Sequence, residues 1–252
     1  MNGEGMIERR KPGGYLGRGL HGEVVEVLGR RIVSGEFGDG ETLDVPALEH
    51  ELDISRTVFR EALRVLKAKG LVDARPKRGT FVQPRSEWQL LDPDVVRWQF
   101  EGREDRQFLD DLAEMRGIIE PASARLAALR RTDEDVAAMQ LAIDRMAAAA
   151  RGEGDAVAAD VAFHRGLLAA THNELLLRMD VVLETSLSVR DRLVHGAVPD
   201  DPTPAHEAVL IAIRDRDPES AGAAASALLA KALLDVEKAR AASSAAPAGE
   251  QA

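Results

Sequence analysis

The chain of 252 residues contains no cysteine, and aromatic residues make up only 4% of it. Without cysteine, disulfide bonds and thiolate metal sites are excluded. No apolar run approaches the length of a membrane-spanning helix, and the start of the chain lacks the basic-then-apolar order of a signal peptide. We therefore expect a cytoplasmic protein without a membrane partner.

Charge is unevenly distributed along the chain. The formal net charge is −10, which by itself argues against nucleic acid as a partner. Residues 1–85, however, contain 15 Lys+Arg and 13 Asp+Glu, whereas the remainder contains 18 and 30. Affinity for nucleic acid depends on the local field of a patch rather than on the total charge. Because the length allows two domains, we predict a weakly basic module that is joined to an acidic one.

Helical signals open the first module. An apolar period typical of an α-helix predicts an amphipathic helix from Leu20 to Ile32, and Gly35 ends it. Asp44 is placed to cap a second, short helix. Asp53 then occupies the turn before a third helix, since aspartate tolerates left-handed backbone.

The third helix carries a concentration of positive charge. Ser55 can cap it, because its side-chain oxygen can accept a first-turn N–H, and Gly70 supplies the left-handed stop. Spacings of three and four residues place the basic side chains on one face and the apolar side chains on the opposite face. The basic face carries Arg56, Arg60, Arg64 and Lys67, and the apolar face carries Phe59, Ala62, Leu63 and Leu66. The alternative is an ordinary solvated helix without a ligand.

Two short strands follow this helix, predicted over residues 71–75 and 80–83 and joined by a basic turn. A basic helix followed by a basic hairpin fits a winged helix-turn-helix domain, in which the helix enters the major groove and the wing reaches a neighbouring groove or phosphate. We therefore predict double-stranded operator DNA as a partner. The predicted DNA-binding residues are Ser55, Arg56, Thr57, Arg60, Arg64, Lys77, Arg78 and Gly79.

The same stretch carries a family resemblance. From Ser55 to Val82 the pattern S-R-T-x-x-R-E-A-L-x-x-L-x-x-K-G-L-V-x-x-R-P-x-x-G-T-F-V resembles the DNA-binding domain of the GntR family of bacterial transcription regulators. Many relatives have an arginine ten residues before Arg56 that contributes to DNA contact, whereas this chain has Pro46. The resemblance implies DNA binding in which that one contact is absent or replaced.

A segment rich in apolar residues follows the wing. It contains W-x-L-L-D-P-D-V-V-x-W, with Trp88 and Trp98 at its ends, and it is more apolar than a free linker. We expect it to dock on a domain, although its tryptophans could instead stack on a ligand. The predicted organisation is a disordered tail over 1–18, a winged helix-turn-helix domain over 19–84, a connector over 85–102, an all-helical effector-binding and dimerisation domain over 103–240 and a disordered tail over 241–252.

From residue 103 onward the periodicity is helical throughout. A first helix begins near Leu109, and Pro121 is predicted to kink it. Turn signals predict further helices near 133–150, 155–170, 174–195, 204–214 and 219–239. Helices of this length with short connections predict an antiparallel bundle. The predicted fold is therefore mainly α, with an N-terminal winged helix-turn-helix domain and a C-terminal all-α bundle.

One helix of the bundle carries a candidate metal site. Asp160 and His164 are four residues apart and share one helix face. Carboxylate and neutral imidazole both ligate zinc, nickel or manganese. A hydrogen-bonded pair on the helix surface is the alternative.

Longer patterns in the bundle resemble the FCD ligand-binding domain of the FadR subfamily. They are E-M-R-G-I-I-E-P-A-S-A-R-L-A-A, A-D-V-A-F-H-R-G-L, T-H-N-E-L-L and A-H-E-A-V-L-I-A-I-R-D-R-D-P-E-S-A. In that domain Asp and His residues ligate a divalent metal that holds an acidic effector. The resemblance implies Asp160, His164 and His206 as ligands of zinc, with nickel or manganese as alternatives. A further family histidine falls at Leu228, so three ligands and open coordination positions remain.

The resemblance also implies an effector pocket. Arg116 falls on a first-helix arginine that lines the pocket, and Asn173 lies in a loop where relatives place polar pocket residues. Both have alternatives, because Arg116 and Glu120 can form an i, i+4 salt bridge and Asn173 can cap the next helix. The connector and the T-H-N-E-L-L pattern are similar to regulators of sugar-acid catabolism of the galactonate-operon type.

These observations predict a dimeric transcription regulator, a repressor of a carbon-catabolism operon, whose DNA binding changes with a small organic acid. The dimer is inferred because one winged helix contacts only a half-site. A metal-dependent enzyme is the alternative, since Asp160, His164 and His206 could activate water, but no general base is evident beside them. An architectural DNA-binding protein would leave the acidic domain without a task.

Overall fold

The computed structural model describes residues 19–101, 106–184, 186–187 and 201–245. The chain divides into two compact units, Met1–Asp105 and Arg106–Ala252. The mainly α fold predicted from the sequence is confirmed. The predicted N-terminal tail lies outside the described residues. Within the described ranges, we find no helix that is long and apolar enough to cross a membrane.

The first unit is a winged helix-turn-helix domain. Its strands form a two-stranded antiparallel sheet in which Val72 lies opposite Val82 and Arg75 lies opposite Gly79. Its elements are α1 (Leu20–Val33), α2 (Val45–Glu51), α3 (Arg56–Ala68), β1 (Val72–Arg75), β2 (Gly79–Val82), a 3-10 turn (Arg85–Glu87) and α4 (Pro93–Glu101).

Local signals set the two helices of the helix-turn-helix as predicted. The Asp44 carboxylate accepts the Ala47 N–H at 3.1 Å and caps α2. The Ser55 hydroxyl accepts the Val58 N–H at 3.4 Å and caps α3. Between them Asp53 adopts φ 49°, in the left-handed region that lets the chain turn. These contacts span only a few residues, which is why the sequence alone indicated them.

Gly70 ends α3 in a way that only glycine permits. Its φ is 77°, and the N–H groups of Gly70 and Leu71 bond the carbonyls of Lys67 and Leu66, each at 3.0 Å, which is the Schellman arrangement. A Cβ at Gly70 would lie 2.1 Å from the Glu87 carbonyl oxygen. The glycine therefore allows both the left-handed end of α3 and the close approach of the chain that follows the wing.

The helix faces of α3 are those predicted. Phe59, Ala62 and Leu66 are buried, Leu63 is half-buried, and the four basic residues are exposed. The core of the unit combines apolar residues from α1, α3, the sheet and α4. Its most buried members include Val25, Leu28, Ile32, Phe59, Ala62, Leu66, Leu71, Val82, Val95 and Trp98.

The segment expected to be a connector is part of this unit. It contains a helix, α4, that the sequence analysis did not predict, and Trp98 of α4 is fully buried. The ring of Trp98 packs on Gly29, where an added Cβ would lie 2.5 Å from it. The Trp98 N–H donates to Glu26 at 3.0 Å, and the Arg97 guanidinium lies 2.6 Å from the same carboxylate. The expectation of docking is met, and the tryptophan anchors the segment.

Lys69 joins the end of α3 to α4. Its side chain is almost fully buried, and its ammonium group lies 2.7 Å from a carboxylate oxygen of Asp92 and 2.7 Å from one of Asp94. A buried charge is tolerated only when it is paired. The two carboxylates therefore hold α4 against the C-terminal end of the predicted recognition helix.

The second unit is a helical bundle. Its helices are α5 (Arg106–Arg130), α6 (Asp133–Ala150), α7 (Ala156–Ala169), α8 (Glu174–Leu177), α9 (Thr203–Arg214) and α10 (Pro218–Ala245), and residues 180–184 and 186–187 are also helical. In this bundle α5 packs on α10 and α7, while α9 packs on α5, α6 and α10. The core is filled by apolar side chains, which include Ala124, Met139, Ile143, Phe163, Leu167, Val209 and Ile213.

The prediction of one helix over 174–195 is wrong for the described residues, and residues 185 and 188–195 lie outside them. Residues 178 and 179 form a turn, because the N–H of Met179 bonds the Leu176 carbonyl and the N–H of Val182 bonds the Met179 carbonyl. These i to i+3 bonds replace the α-helical pattern. Neither glycine nor proline marks the turn, so composition gave no signal.

Helix α5 contains Pro121 and continues for nine residues beyond it to Arg130, and the kink at this proline stays a prediction. One other helix runs further than expected. The last helix extends to Ala245, so the tail predicted from residue 241 begins with helix. The added residues are Ala, Ala, Ser, Ser and Ala, and alanine has the highest intrinsic helix propensity.

Removal of Trp98 should destabilise the first unit. Truncation of a buried tryptophan costs about 3–5 kcal/mol through lost apolar contacts and the cavity that remains. The two tryptophans of the chain both lie in this unit, so the fluorescence of Trp88 reports its unfolding by denaturant in the full chain. Leu91→Ala is the control, because Leu91 is 57% exposed and should change stability by less than about 0.5 kcal/mol. Equal stability of Trp98→Ala and Leu91→Ala would contradict the docking.

Candidate functional site

The basic face of α3 divides into paired and unpaired side chains. Arg64 lies 2.5 Å from the Glu61 carboxylate, and Lys67 lies 2.7 Å from Asp73. In the described part of the chain, Arg56 and Arg60 have no such acidic partner. Both are exposed near the start of α3, where a recognition helix meets base edges. The geometry therefore favours Arg56 and Arg60 as the DNA-contacting pair.

The wing holds its two basic residues differently. Lys77 occupies the turn with φ 66°, and Gly79 begins β2 with φ 81°. Arg78 donates to the Gly40 carbonyl at 2.8 Å, and its guanidinium lies 3.6 Å from the centroid of the Phe81 ring. Arg78 is thus engaged with its own domain, although the sequence predicted a phosphate contact. Its contact with DNA stays a prediction.

Asp160, His164 and His206 converge in the helical unit. Asp160 and His164 lie one turn apart on α7, and His206 lies near the start of α9. Their ligand atoms all lie within 4.8 Å of one another, and both histidines are buried. Phe163 packs edge-on against His206 with 4.8 Å between ring centroids. The helical spacing of Asp160 and His164, together with the family resemblance for His206, thus predicted that the three residues cluster.

The position of the missing family histidine is apolar. Leu228 of α10 lies in the same core as Phe163 and Val209. It offers no ligand atom, as the sequence indicated. The cluster in the described residues therefore supplies one carboxylate and two imidazoles.

The outer nitrogens of the two imidazoles each lie close to an oxygen atom. His206 Nδ1 lies 2.8 Å from the Pro202 carbonyl oxygen, which can only accept, so Nδ1 carries a proton. His164 Nδ1 lies 2.6 Å from Oε2 of Glu120. Carboxylates and carbonyls at this position are typical of histidines that ligate metals, because they direct the Nε2 lone pair to the ion.

The inner nitrogens share one oxygen. Asp160 Oδ1 lies 3.0 Å from Nε2 of His206 and 3.3 Å from Nε2 of His164. A lone pair that faces a carboxylate at this distance is repelled unless a proton or a cation lies between them. The arrangement is therefore suited to a cation at the centre of the cluster.

The pKa shifts of His164, Glu120 and Asp160 follow from these contacts. Burial by itself would lower the pKa of His164, but Glu120 and Asp160 raise it to about 9. Burial would raise the pKa of Glu120, yet His164 and Arg116 lower it to about 2. The pKa of Asp160 falls well below its ordinary value against its own burial, because both histidines bond its carboxylate. Metal binding would replace the proton on the inner nitrogen of His164, since imidazole ligates as the neutral form.

Arg116 and Glu120 form the predicted salt bridge, and each of them has a further contact. Arg116 Nε donates to Oε1 of Glu120 at 2.5 Å, and both side chains are buried. Another nitrogen of Arg116 lies 3.4 Å from the Ser186 hydroxyl. The contact of Glu120 with His164 was not predicted, because it joins α5 to α7 and no spacing within one helix indicates it.

Asn173 caps α8. Its side-chain oxygen accepts the N–H groups of Leu175 and Leu176 at 3.0 and 3.3 Å, which is the alternative that the sequence left open. The preceding His172 lies 2.9 Å from Asp135 and is not part of the metal-ligating group. A role of Asn173 toward an effector stays a prediction.

The first unit has an exposed basic helix and a hairpin wing, and the same chain contains a helical bundle with a buried cluster of an acid and imidazoles. This combination defines a DNA-binding transcription regulator. Known families agree with this class. The family described as "Bacterial regulatory proteins, gntR family" matches residues 20–82, and the FCD domain family matches residues 111–231. The chain belongs to the GntR family and carries an FCD domain. It is a regulator, and the enzyme alternative is not retained.

Similar proteins include two regulators of Escherichia coli K12. The chain is 34% identical to the galactonate operon transcriptional repressor, over 82% of this chain and 92% of that protein. It is 32% identical to the Uxu operon transcriptional regulator, over 62% of this chain and 60% of that protein. Among solved structures, Lar of Listeria monocytogenes superposes with a TM-score of 0.61 at 16% identity, over 88% of this chain and 98% of that one. That likeness shows the fold alone.

Arg78 and Lys77 should differ in their effect on stability. Arg78→Ala removes the bond to the Gly40 carbonyl and the contact with the Phe81 ring, and we expect it to lower the free energy of unfolding of the first unit by about 1 kcal/mol. Lys77→Ala is the matched control and should change it by less than about 0.5 kcal/mol. Denaturant unfolding followed by tryptophan fluorescence measures both. An Arg78 variant as stable as the Lys77 variant would show that the anchoring contact contributes nothing.

Proposed function

We propose that the protein is a homodimeric repressor of a sugar-acid catabolic operon, and that a small sugar acid held by a divalent metal in the helical domain changes its binding to the operator. The observation that carries the proposal is the convergence of Asp160, His164 and His206 in a chain that also has a DNA-binding domain. Sugar acids are favoured because the most extensive match described above is to a galactonate operon repressor and another is to a Uxu operon regulator.

The donor set suits a divalent ion of the zinc type. Two imidazole nitrogens and one carboxylate are ligands that zinc prefers, and nickel or manganese accept them as well. The Pro202 carbonyl accepts from the outer nitrogen of His206 and the Glu120 carboxylate lies against that of His164, which leaves both inner nitrogens near Asp160. When bound, the ion would offer its remaining coordination positions to carboxylate or hydroxyl oxygens of an acid.

Arg116 is the proposed charge partner of the acid. A guanidinium has five N–H donors, and the contacts with Glu120 and Ser186 involve two of its nitrogens. A carboxylate can accept from other donors of the same group. Asn173 is the second proposed effector residue, and it would act through its amide N–H groups because its oxygen caps α8.

On the DNA side, Arg56 and Arg60 would contact base edges in the major groove. Ser55, Thr57 and Arg64 would contact phosphates around them, and the wing with Lys77, Arg78 and Gly79 would reach the backbone beside the groove. A dimer would place two α3 helices on the half-sites of a pseudo-palindromic operator. The acid can shift the dimer between two arrangements only if it binds one of them more tightly.

Arg60→Ala should weaken operator binding by about 1–3 kcal/mol and relax sequence preference, because a bidentate contact with guanine is lost. Fluorescence anisotropy on an operator selected from random duplexes measures the affinity, with unrelated duplex as competitor. Arg30→Ala removes the same charge from α1 and serves as the control. If the Arg60 variant keeps the affinity and selectivity of the wild-type protein, α3 is not the recognition helix.

His164→Ala should abolish zinc binding and the response to sugar acid together, while operator binding without acid is retained. Metal content by mass spectrometry, and operator affinity with zinc and D-galactonate, measure the two effects. His172→Ala removes a histidine of the same domain that pairs with Asp135 instead, and it should keep both.

Two results would contradict this mechanism. One is full zinc occupancy in a variant that lacks both His164 and His206. The other is an undiminished response to the acid in a variant that no longer holds zinc.

A further inference from the structure

Glu120 is a buried carboxylate that contacts two groups with different tasks. Its side chain is 1% exposed. Oε1 accepts from Arg116 Nε at 2.5 Å, and Oε2 lies 2.6 Å from His164 Nδ1. Each oxygen thus has a separate partner, one on α5 and one on α7. A salt bridge that merely stabilised α5 would need neither this burial nor the contact with His164.

We propose that Glu120 is the positioning residue that joins the metal site to the arginine that binds the acid. The inference rests on the proposed function, because it takes His164 as a metal ligand and Arg116 as the charge partner of the effector. It assigns to Glu120 the link between the two.

The contact with His164 fixes which ring nitrogen is free to coordinate. A carboxylate at Nδ1 keeps the proton of a neutral imidazole on that atom, so that Nε2 presents its lone pair toward Asp160 and His206. Without the carboxylate, the proton could reside on Nε2, where it blocks coordination. Glu120 would therefore hold His164 in both the orientation and the tautomer that a metal needs.

The contact with Arg116 makes the positioning of His164 by Glu120 sensitive to the acid. The contacts of 2.5 and 2.6 Å on the two oxygens leave Glu120 little room to move. A carboxylate that attracts the Arg116 guanidinium would therefore shift Glu120 and change its contact with His164. Linkage is reciprocal, so a change in metal binding would equally alter the affinity of Arg116 for an acid.

Glu120→Gln tests the link with zinc alone. The amide has one accepting oxygen, and whichever partner takes it, the NH₂ group faces the N–H of the other. Competition of the full-length protein with a chromogenic chelator should show zinc affinity lowered by about 10–100-fold. Ser186→Ala is the matched control, because Ser186 contacts Arg116 and not Glu120, and its affinity should stay within about twofold of the wild-type value.

A double-mutant cycle tests the coupling. Arg116→Met in the wild-type background should lower zinc affinity by about three- to tenfold, because Glu120 loses its second anchor. In the Glu120→Gln background the same change should have almost no effect. Additive effects would overturn the proposal, since independent residues do not show such an interaction.

A spectroscopic readout separates positioning from general loss of structure. In the zinc-loaded wild-type protein, long-range ¹H–¹⁵N spectra should show His164 with its proton on Nδ1 and Nε2 bound. Glu120→Gln should lose that protected proton while helical content and operator binding persist. Should this variant fail to fold, Glu120→Asp replaces it, because it keeps the charge but is one methylene too short to span both partners.

The outcomes are distinguishable from failure of the proposed function. If the wild-type protein binds zinc and the Glu120 variants bind it equally well, the link is wrong and the metal site stands. If the wild-type protein does not bind zinc at all, the proposed metal step is wrong and the link with it.

Discussion

The helical domain depends on the balance of charge around one carboxylate, that of Asp160. Imidazole nitrogens from two helices face its Oδ1 at 3.0 and 3.3 Å, and a charge removed from water costs several kcal/mol unless it is paired. A row of side chains runs through Arg116, Glu120, His164, Asp160 and His206. Charges of alternating sign occupy its first four positions. Because these groups are removed from water, each charge needs a neighbour of opposite sign. A cation or an anion added at one position therefore changes the interactions of the next.

Much of the DNA-binding domain could be predicted because its signals are local. The caps of Asp44 and Ser55 and the stop at Gly70 act over one turn of helix, and each is present as expected. Helix α4 was missed although it has a comparable signal. The Asp92 carboxylate accepts the N–H groups of Asp94 and Val95 at 3.0 and 3.3 Å, and proline follows Asp92, where it is favoured at the first helical position.

The candidate site was predictable only in part. The spacing of Asp160 and His164 placed them on one face of α7, but nothing local brings His206 to them, and only the resemblance to the family did so. The contact of Glu120 with His164 had no signal at all, because it depends on how α5 packs on α7. Packing between helices is long-range information that periodicity does not carry. The turn at residues 178–179 also had no signal, because neither glycine nor proline marks it.

The pairing of Lys69 with Asp92 and Asp94 has a consequence for chimeric regulators. The family match for the DNA-binding domain ends at residue 82, which makes that point an inviting junction for grafting this domain onto another effector domain. Such a junction would remove both carboxylates from the Lys69 ammonium group and remove Trp98 from the core. The portable DNA-binding module of this chain therefore extends through α4, and a successful exchange between relatives has to move the helix and its acidic cap together with the wing.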